Sequence, residues 1–273
     1  MGKSNIRKPA VAGQFYPGTA QELNARLKKF IDPQAEQKRV IGCMLPHAGY
    51  IYSGAVAGAT VSRVEVPEKV ILLGPNHTGY GTALSVMNAG AWQTPLGEVP
   101  IDAKLADELL GASELLQADE LAHAYEHSLE VELPFLQFRR KDFSIVPIAI
   151  AAPELTALKA VGKAIGKTTA RKNLKGSVLM VASSDMSHYE PQEKAEQKDR
   201  LAIEAILALD EDALFSRIRE YDITMCGYMP VAVMLSAAKE LGATKAELVR
   251  YQTSGDASGD YSSVVGYAGI IVY

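Results

Sequence analysis

Val40-Ile-Gly-Cys-Met-Leu45-Pro-His47-Ala-Gly-Tyr-Ile-Tyr-Ser-Gly54 carries three local signals in one stretch. Residues 40–45 form a short apolar run that reads as a buried strand. Pro46 removes a backbone donor and favours extended chain, while Gly49 and Gly54 allow a tight turn and close backbone approach. The small apolar residues 54–63 read as a packed helix. A strand that delivers a histidine to the start of a helix is a unit of open α/β sheets. In such sheets ligands bind at the carboxyl ends of the strands.

The same arrangement recurs. In Leu72-Leu-Gly-Pro-Asn-His77-Thr-Gly79 a strand over 69–73 runs into a turn that holds His77. In Ser183-Ser-Asp185-Met-Ser-His188-Tyr189 a strand over 178–182 runs into a loop with Asp185 and His188. Further strands are predicted over 83–88, 144–150, 247–252 and 264–272. Helices are predicted over 102–110 with Asp102 as N-cap, and over 128–138, 154–169, 193–207, 210–218 and 231–241. The alternation predicts one α/β domain, a sandwich whose mixed, mostly parallel sheet is flanked by helices. The last two strands are expected to pair antiparallel at a sheet edge. The Ser-Gly-Asp-Ala-Ser-Gly-Asp segment between them reads as a flexible connection. No linker or internal repeat divides the chain.

Composition narrows the function. The chain has 273 residues, a net charge of −4 and 48% hydrophobic residues, enough for a sizeable core. No basic stripe points to nucleic acid, and no apolar run approaches a membrane span. The start, Met1-Gly-Lys-Ser-Asn-Ile6, lacks a signal-peptide core, and Ile6 breaks the myristoylation pattern. The expectation is a soluble cytoplasmic protein. Two cysteines, Cys43 and Cys226, cannot form a disulfide framework and read as reduced thiols.

The candidate residues each have two readings. His47 is either a site histidine or a turn histidine that caps the following helix. His77 resembles it: both follow a buried strand and a proline and precede glycine, so the two can meet at one rim. Asp185 can fix the tautomer of a nearby imidazole or cap the helix beyond Pro191. His127 and Glu130 lie one helical turn apart and can ligate a metal, shuttle protons or cap a helix. His123, in a looser segment, reads as solvent-exposed. Cys226, in a loop feeding a helix near Val231, is either a thiol of lowered pKa able to ligate metal or a small buried apolar residue. Cys43, inside a strand, takes the second reading. The Gly-x-Ser-x-Gly elbow of a serine hydrolase and the Rossmann glycine pattern are both absent. A cysteine–histidine nucleophile built on Cys226 would use the same residues.

Taken together, Gly13-Gln-Phe-Tyr16-Pro17, Pro46-His47-Ala-Gly-Tyr-Ile-Tyr-Ser-Gly54, Gly74-Pro-Asn-His77, Glu126-His127-Ser-Leu-Glu130, Ser184-Asp185-Met-Ser-His188-Tyr189 and Cys226-Gly227 resemble the Memo family, in its order. The likeness spans residues 7–273. It implies a fold similar to the class III extradiol non-haem-iron dioxygenases. It implies His47, His77 and Cys226 as metal ligands, with Asp185, His188 and His127 beside them in the pocket. The implied cofactor is a transition metal: iron first, with copper or zinc as alternatives, because a thiolate favours softer metals. A cysteine in place of the dioxygenases' carboxylate argues against ring cleavage. His127 and His188 would donate or accept protons, and Asp185 would orient a ligand. The implied activity is metal-dependent redox or oxygen chemistry on an unknown substrate. The competing class is a non-catalytic module that captures a peptide or protein in the same cleft. Prokaryotic relatives are grouped with a radical-SAM protein and a third partner.

Overall fold

A computed structural model describes residues 5–151, 154–171 and 176–273. Residues 1–4, part of the start read above for targeting signals, lie outside them. In chain order the elements are β1 (Ile6–Arg7), α1 (Ala20–Phe30), β2 (Gly42–Leu45), α2 (Tyr50–Ser62), β3 (Lys69–Pro75), β4 (Leu84–Val86), β5 (Ala91–Thr94), β6 (Gly97–Pro100), α3 (Ala103–Ala112), β7 (Gln117–Ala118) and α4 (Leu133–Arg139). They continue with β8 (Ser144–Ile150), α5 (Leu155–Arg171), β9 (Val178–Ser183), β10 (His188–Glu190), α6 (Gln192–Leu207), α7 (Glu211–Glu220), α8 (Tyr228–Glu240), β11 (Ala246–Thr253), α9 (Gly255–Ser258) and β12 (Val264–Val272).

The central strands lie in the order β2-β9-β3-β8 and run parallel. Their continuous apolar runs follow from burial on both faces. Alternate residues enter different cores: Met44, Ile71, Leu73, Met180 and Ala182 pack on one side, and Cys43, Leu45, Val70, Leu72, Leu179 and Val181 on the other. Helices α3, α5, α6, α7 and α8 contribute to the first core, and α1, α2 and α4 to the second. The edges make the sheet mixed. β12 lies antiparallel to β2 and β11 antiparallel to β12, as the tail pattern predicts, and β4 lies antiparallel to β8. A small separate sheet joins β1, β5 and β6. The result is a single-domain α/β sandwich. Among the described residues no helix is long and apolar enough to cross a membrane.

Three details depart from the sequence reading. The helix expected from residue 128 begins at Leu133, because Pro134 occupies its first turn and residues 128–132 are held in turns. The connection between β11 and β12 is not unstructured but contains the single turn α9, closed by Gly259 in the left-handed region. Helix α1 and the β5–β6 hairpin were not predicted. Asp102 does cap α3, its Oδ1 accepting from the amide of Leu105 at 3.0 Å.

Candidate metal centre

β9 lies between β2 and β3, so the carboxyl ends of these three strands are neighbours. Each supplies a residue two positions past its end: His47 after Leu45, His77 after Pro75 and Asp185 after Ser183. Cys226 arrives from the other side, on the segment that leads into α8. Gly227 is what lets that segment lie on the end of β9. A Cβ there would stand 2.2 Å from the Ser183 carbonyl oxygen and 2.5 Å from Cβ of Ser184. The Gly227 amide instead donates to Oγ of Ser184 at 3.0 Å.

The structure therefore brings together His47, His77 and Cys226, whose ligand atoms all lie within 4.8 Å of one another. Sγ of Cys226 is 3.3 Å from Nε2 of His47. Nδ1 of His47 meets Oγ of Ser183 at 2.8 Å, and Nδ1 of His77 meets Oε1 of Glu126 at 2.9 Å. Both imidazoles thus have Nδ1 engaged and Nε2 left over. That is how metal-binding histidines are usually oriented. Tetrahedral ligands of a zinc-like ion stand roughly 3.5 Å apart, so only small shifts would close this set on an ion. Two imidazole nitrogens and a sulfur are donors that could hold a metal ion.

His127 is the third imidazole of the cleft. Its ring stacks on His77 at 4.7 Å between centroids and lies 5.5 Å from that of His47. The Phe15 ring lies against it at 4.9 Å. Burial, and then the charges of His77 and His127, push the pKa of His47 well below its usual value. Burial also lowers that of His127, against the opposing pull of Glu126. A second grouping, His77, Glu126 and His127, is equally compact. Its carboxylate is already committed: Oε1 accepts from Nδ1 of His77 and from the Ser128 amide, and Oε2 accepts from the His77 amide. Burial alone would raise Glu126, but these bonds hold it down at about 2. Glu126 orients His77.

Among the described residues Asp185 makes no hydrogen bond to an imidazole. Its Oδ1 accepts from the amides of His47 at 2.8 Å and Ala48 at 3.3 Å, so it fixes the backbone that carries His47. Burial raises it to about 6, against those amides and His188. Nor does Asp185 cap a helix, since α6 begins after Pro191 without a side-chain cap. His188 lies outside the three-atom groupings. Its Nδ1 bonds the Thr224 carbonyl at 2.9 Å, which ties β10 to the Cys226 segment.

Three other expectations change. The Cys226 thiol is pushed up, first by burial and then by the Asp185 charge, not lowered by the nearby helix start. Glu130 does not pair with His127 as a ligand. It is fully buried and accepts from Arg7, Tyr16 and the amides of Ala10 and Val11. His123 is fully buried, with Nε2 at the Ser85 carbonyl and its ring edge-on to Trp92. Cys43 is buried in β2, facing the core. The sequence reading gives Glu126, Ser183 and Phe15 no part in holding the site. The adjacency of Glu126 to His127 was the one usable hint.

A family model described as Memo-like protein matches residues 7–271. A MEMO1 family protein of Aquifex aeolicus is 46% identical over 268 residues, covering 97% of this chain and 98% of its own. One from Methanosarcina barkeri is 44% identical over 269 residues, covering 98% of this chain and 100% of its own. One from Methanocaldococcus jannaschii is 44% identical over 288 residues, covering 98% and 99%.

Proposed function

The chain belongs to the Memo family, and on that premise we propose that His47, His77 and Cys226 hold one transition-metal ion in an open cleft that performs redox or oxygen chemistry on a small molecule. The observation that carries the reading is the convergence of two imidazoles and one thiol from three chain segments within 4.8 Å. Iron is the first choice, with copper or zinc as alternatives. When bound, such an ion supplies Lewis acidity and, for iron or copper, electrons.

The chain's own residues supply the rest. Glu126 and Ser183 hold the two imidazoles, and Asp185 holds the turn beneath His47. His127 is partly exposed and, with its pKa lowered, neutral near pH 7. It is placed to accept a proton from a bound molecule. His188 gives its Nδ1 proton to Thr224, which leaves Nε2 as an acceptor.

A second reading has one observation in its favour. Tyr52, Tyr80, Tyr125 and Tyr189 are exposed, and each stands close in sequence to one of His47, His77, His127 and His188. Such amphipathic rings suit capture of a peptide without catalysis. A radical-SAM protein is a proposed partner on the family resemblance alone.

The test is metal analysis of anaerobically purified protein, followed by oxygen uptake. The proposal expects about one ion per chain, lost in His47→Ala and His77→Ala variants, and oxygen consumption by the loaded protein. Equal metal content in parent and variants overturns the site. Retained metal without oxygen uptake favours capture.

A further inference from the structure

Ser183 Oγ sits at the hub of three contacts that one hydroxyl can satisfy in few ways. It lies 2.9 Å from the Ser128 carbonyl oxygen, 2.9 Å from Oε1 of Glu132 and 2.8 Å from Nδ1 of His47. A hydroxyl has one proton to give and two lone pairs. The Ser128 carbonyl can only accept, so the Ser183 proton goes there. The remaining two partners must then both donate. For His47 that places a proton on Nδ1. For Glu132 it requires a protonated carboxyl.

The alternative fails twice. If Glu132 were ionised it would draw the Ser183 proton, leaving two oxygens 2.9 Å apart at Ser128 with no proton between them. It would also leave charge on Oε2, which is buried and has no hydrogen-bond partner among the described residues. A neutral carbonyl oxygen tolerates that position far better than a carboxylate. The surroundings agree. Glu132 is fully buried. The titratable groups near it are the Cys43 thiol, the Tyr50 hydroxyl, Asp185 and, across the Ser183 hydroxyl, the His47 imidazole, which burial keeps neutral, so none is a cation. Burial pushes its carboxyl well above the usual range; a hydrogen bond from Ser183 would oppose that shift and the Asp185 charge adds to it.

We propose that Glu132 is a positioning residue, a neutral carboxylic acid whose Oε1–H donates to Ser183 and so locks the proton of His47 on Nδ1, with the Nε2 lone pair aimed at the cleft. Without that donor the hydroxyl can turn from Ser128 to Nδ1. The imidazole then shifts its proton to Nε2, where it blocks ligation. The role, though not the protonation state, rests on the metal-binding reading above.

The experiment has two arms. In the first, infrared spectra of the metal-free full chain at pH 8 look for the carbonyl stretch of a protonated carboxylic acid. At that pH Asp185, at about 6, is ionised. The band should be present in the parent and gone in Glu132→Gln. Ring ¹⁵N shifts should show His47 protonated on Nδ1. Absence of the band, or a proton on Nε2, overturns the proposal whether or not the protein binds metal. In the second arm zinc affinity is measured by competition. Glu132→Gln keeps a donor at Ser183 and should bind within roughly threefold of the parent, whereas Glu132→Leu should bind about 10–100-fold more weakly. Ser183→Ala, which removes the hub with less change in volume, should match the Leu variant and stands in for it if Leu does not fold. A Gln variant as weak as the Leu or Ala variant overturns the donor role. Leu or Ala variants as tight as the parent overturn the positioning.

Discussion

Sγ of Cys226 stands 3.3 Å from Nε2 of His47, across 179 positions of sequence. The contact joins the loop after β2 to the segment before α8. Cys43, by contrast, is sealed in β2. Cys226→Ser exchanges a thiolate for a neutral hydroxyl and should lower metal affinity by more than the roughly 10–100-fold typical of changes outside the coordination sphere. Cys43→Ser should leave affinity near that of the parent and cost about 1–3 kcal/mol of stability, from a hydroxyl buried among apolar groups. Isothermal titration with a metal, paired with urea unfolding, separates the two. Equal metal loss in folded samples of both would remove Cys226 from the site.

Asp185 gives a graded test, because its carboxylate serves two backbone amides and not a ring. Asp185→Asn retains an oxygen in the same place and should bind metal only a few-fold more weakly, roughly the effect of losing charge from a hydrogen bond. Asp185→Ala leaves the His47 and Ala48 amides without that acceptor. It should lose about 1–3 kcal/mol of stability and about 10–100-fold in affinity. If Asn proves as damaging as Ala, the carboxylate's charge matters in itself, and its role is not that of a backbone clamp.

The parallel strands were legible because burial on both faces writes an unbroken apolar run: 69–73, 144–150 and 178–182 all appear in the structure within a few residues. The three strand-end residues were legible for the same reason, since the topology needs only strands that end together. α1 was not, because only Leu23 and Leu27 of its residues are buried, too narrow a stripe to stand out. His123 was misjudged because what buries it is distant in sequence: Trp92 and the carbonyl of Ser85. The glutamates of Leu129-Glu130-Val131-Glu132-Leu133 alternate with apolar residues, a pattern that ordinarily marks an exposed polar face. Here that face meets Arg7, Tyr16 and Ser183, partners that no local pattern reveals.

The burial of His123 sets a pH dependence of stability. Its pKa falls from an ordinary 6.5 to about 4, burial being the largest cause and the Ser85 carbonyl opposing it. The folded state therefore binds fewer protons than the unfolded state below pH 6.5, so stability is level above that value and falls as pH drops toward 4. The loss from this residue is on the order of 3 kcal/mol across that window. Urea unfolding of the parent and of His123→Gln, followed from pH 7.5 to 4, should show a shallower slope in the variant. Parallel slopes would mean that the imidazole is not held neutral.

The N-terminal segment is tied to the site by one buried ion pair. Arg7 gives Nη1 to Oε2 of Glu130 at 2.5 Å, Nη2 to the Glu126 carbonyl at 2.6 Å and Nε to the His123 carbonyl at 2.7 Å. Its guanidinium lies 4.2 Å from the Trp92 ring centre. Glu130 in turn gathers the amides of Ala10 and Val11 and the Tyr16 hydroxyl. Together these bonds hold the 120–131 stretch that carries Glu126 and His127. Arg7→Met leaves Glu130 charged and buried without its cation and should cost about 3–5 kcal/mol. Adding Glu130→Gln to it should recover part of that loss, because the amide no longer needs a cation. The same Arg7→Met protein should bind metal more weakly than its residual folded fraction explains, since Glu126 loses a support for the stretch that orients His77. Chemical unfolding of the two single variants and the double variant measures the coupling. A loss below about 1 kcal/mol for Arg7→Met would place the pair among the weak surface bridges, and an additive double variant would show that the two side chains do not act together.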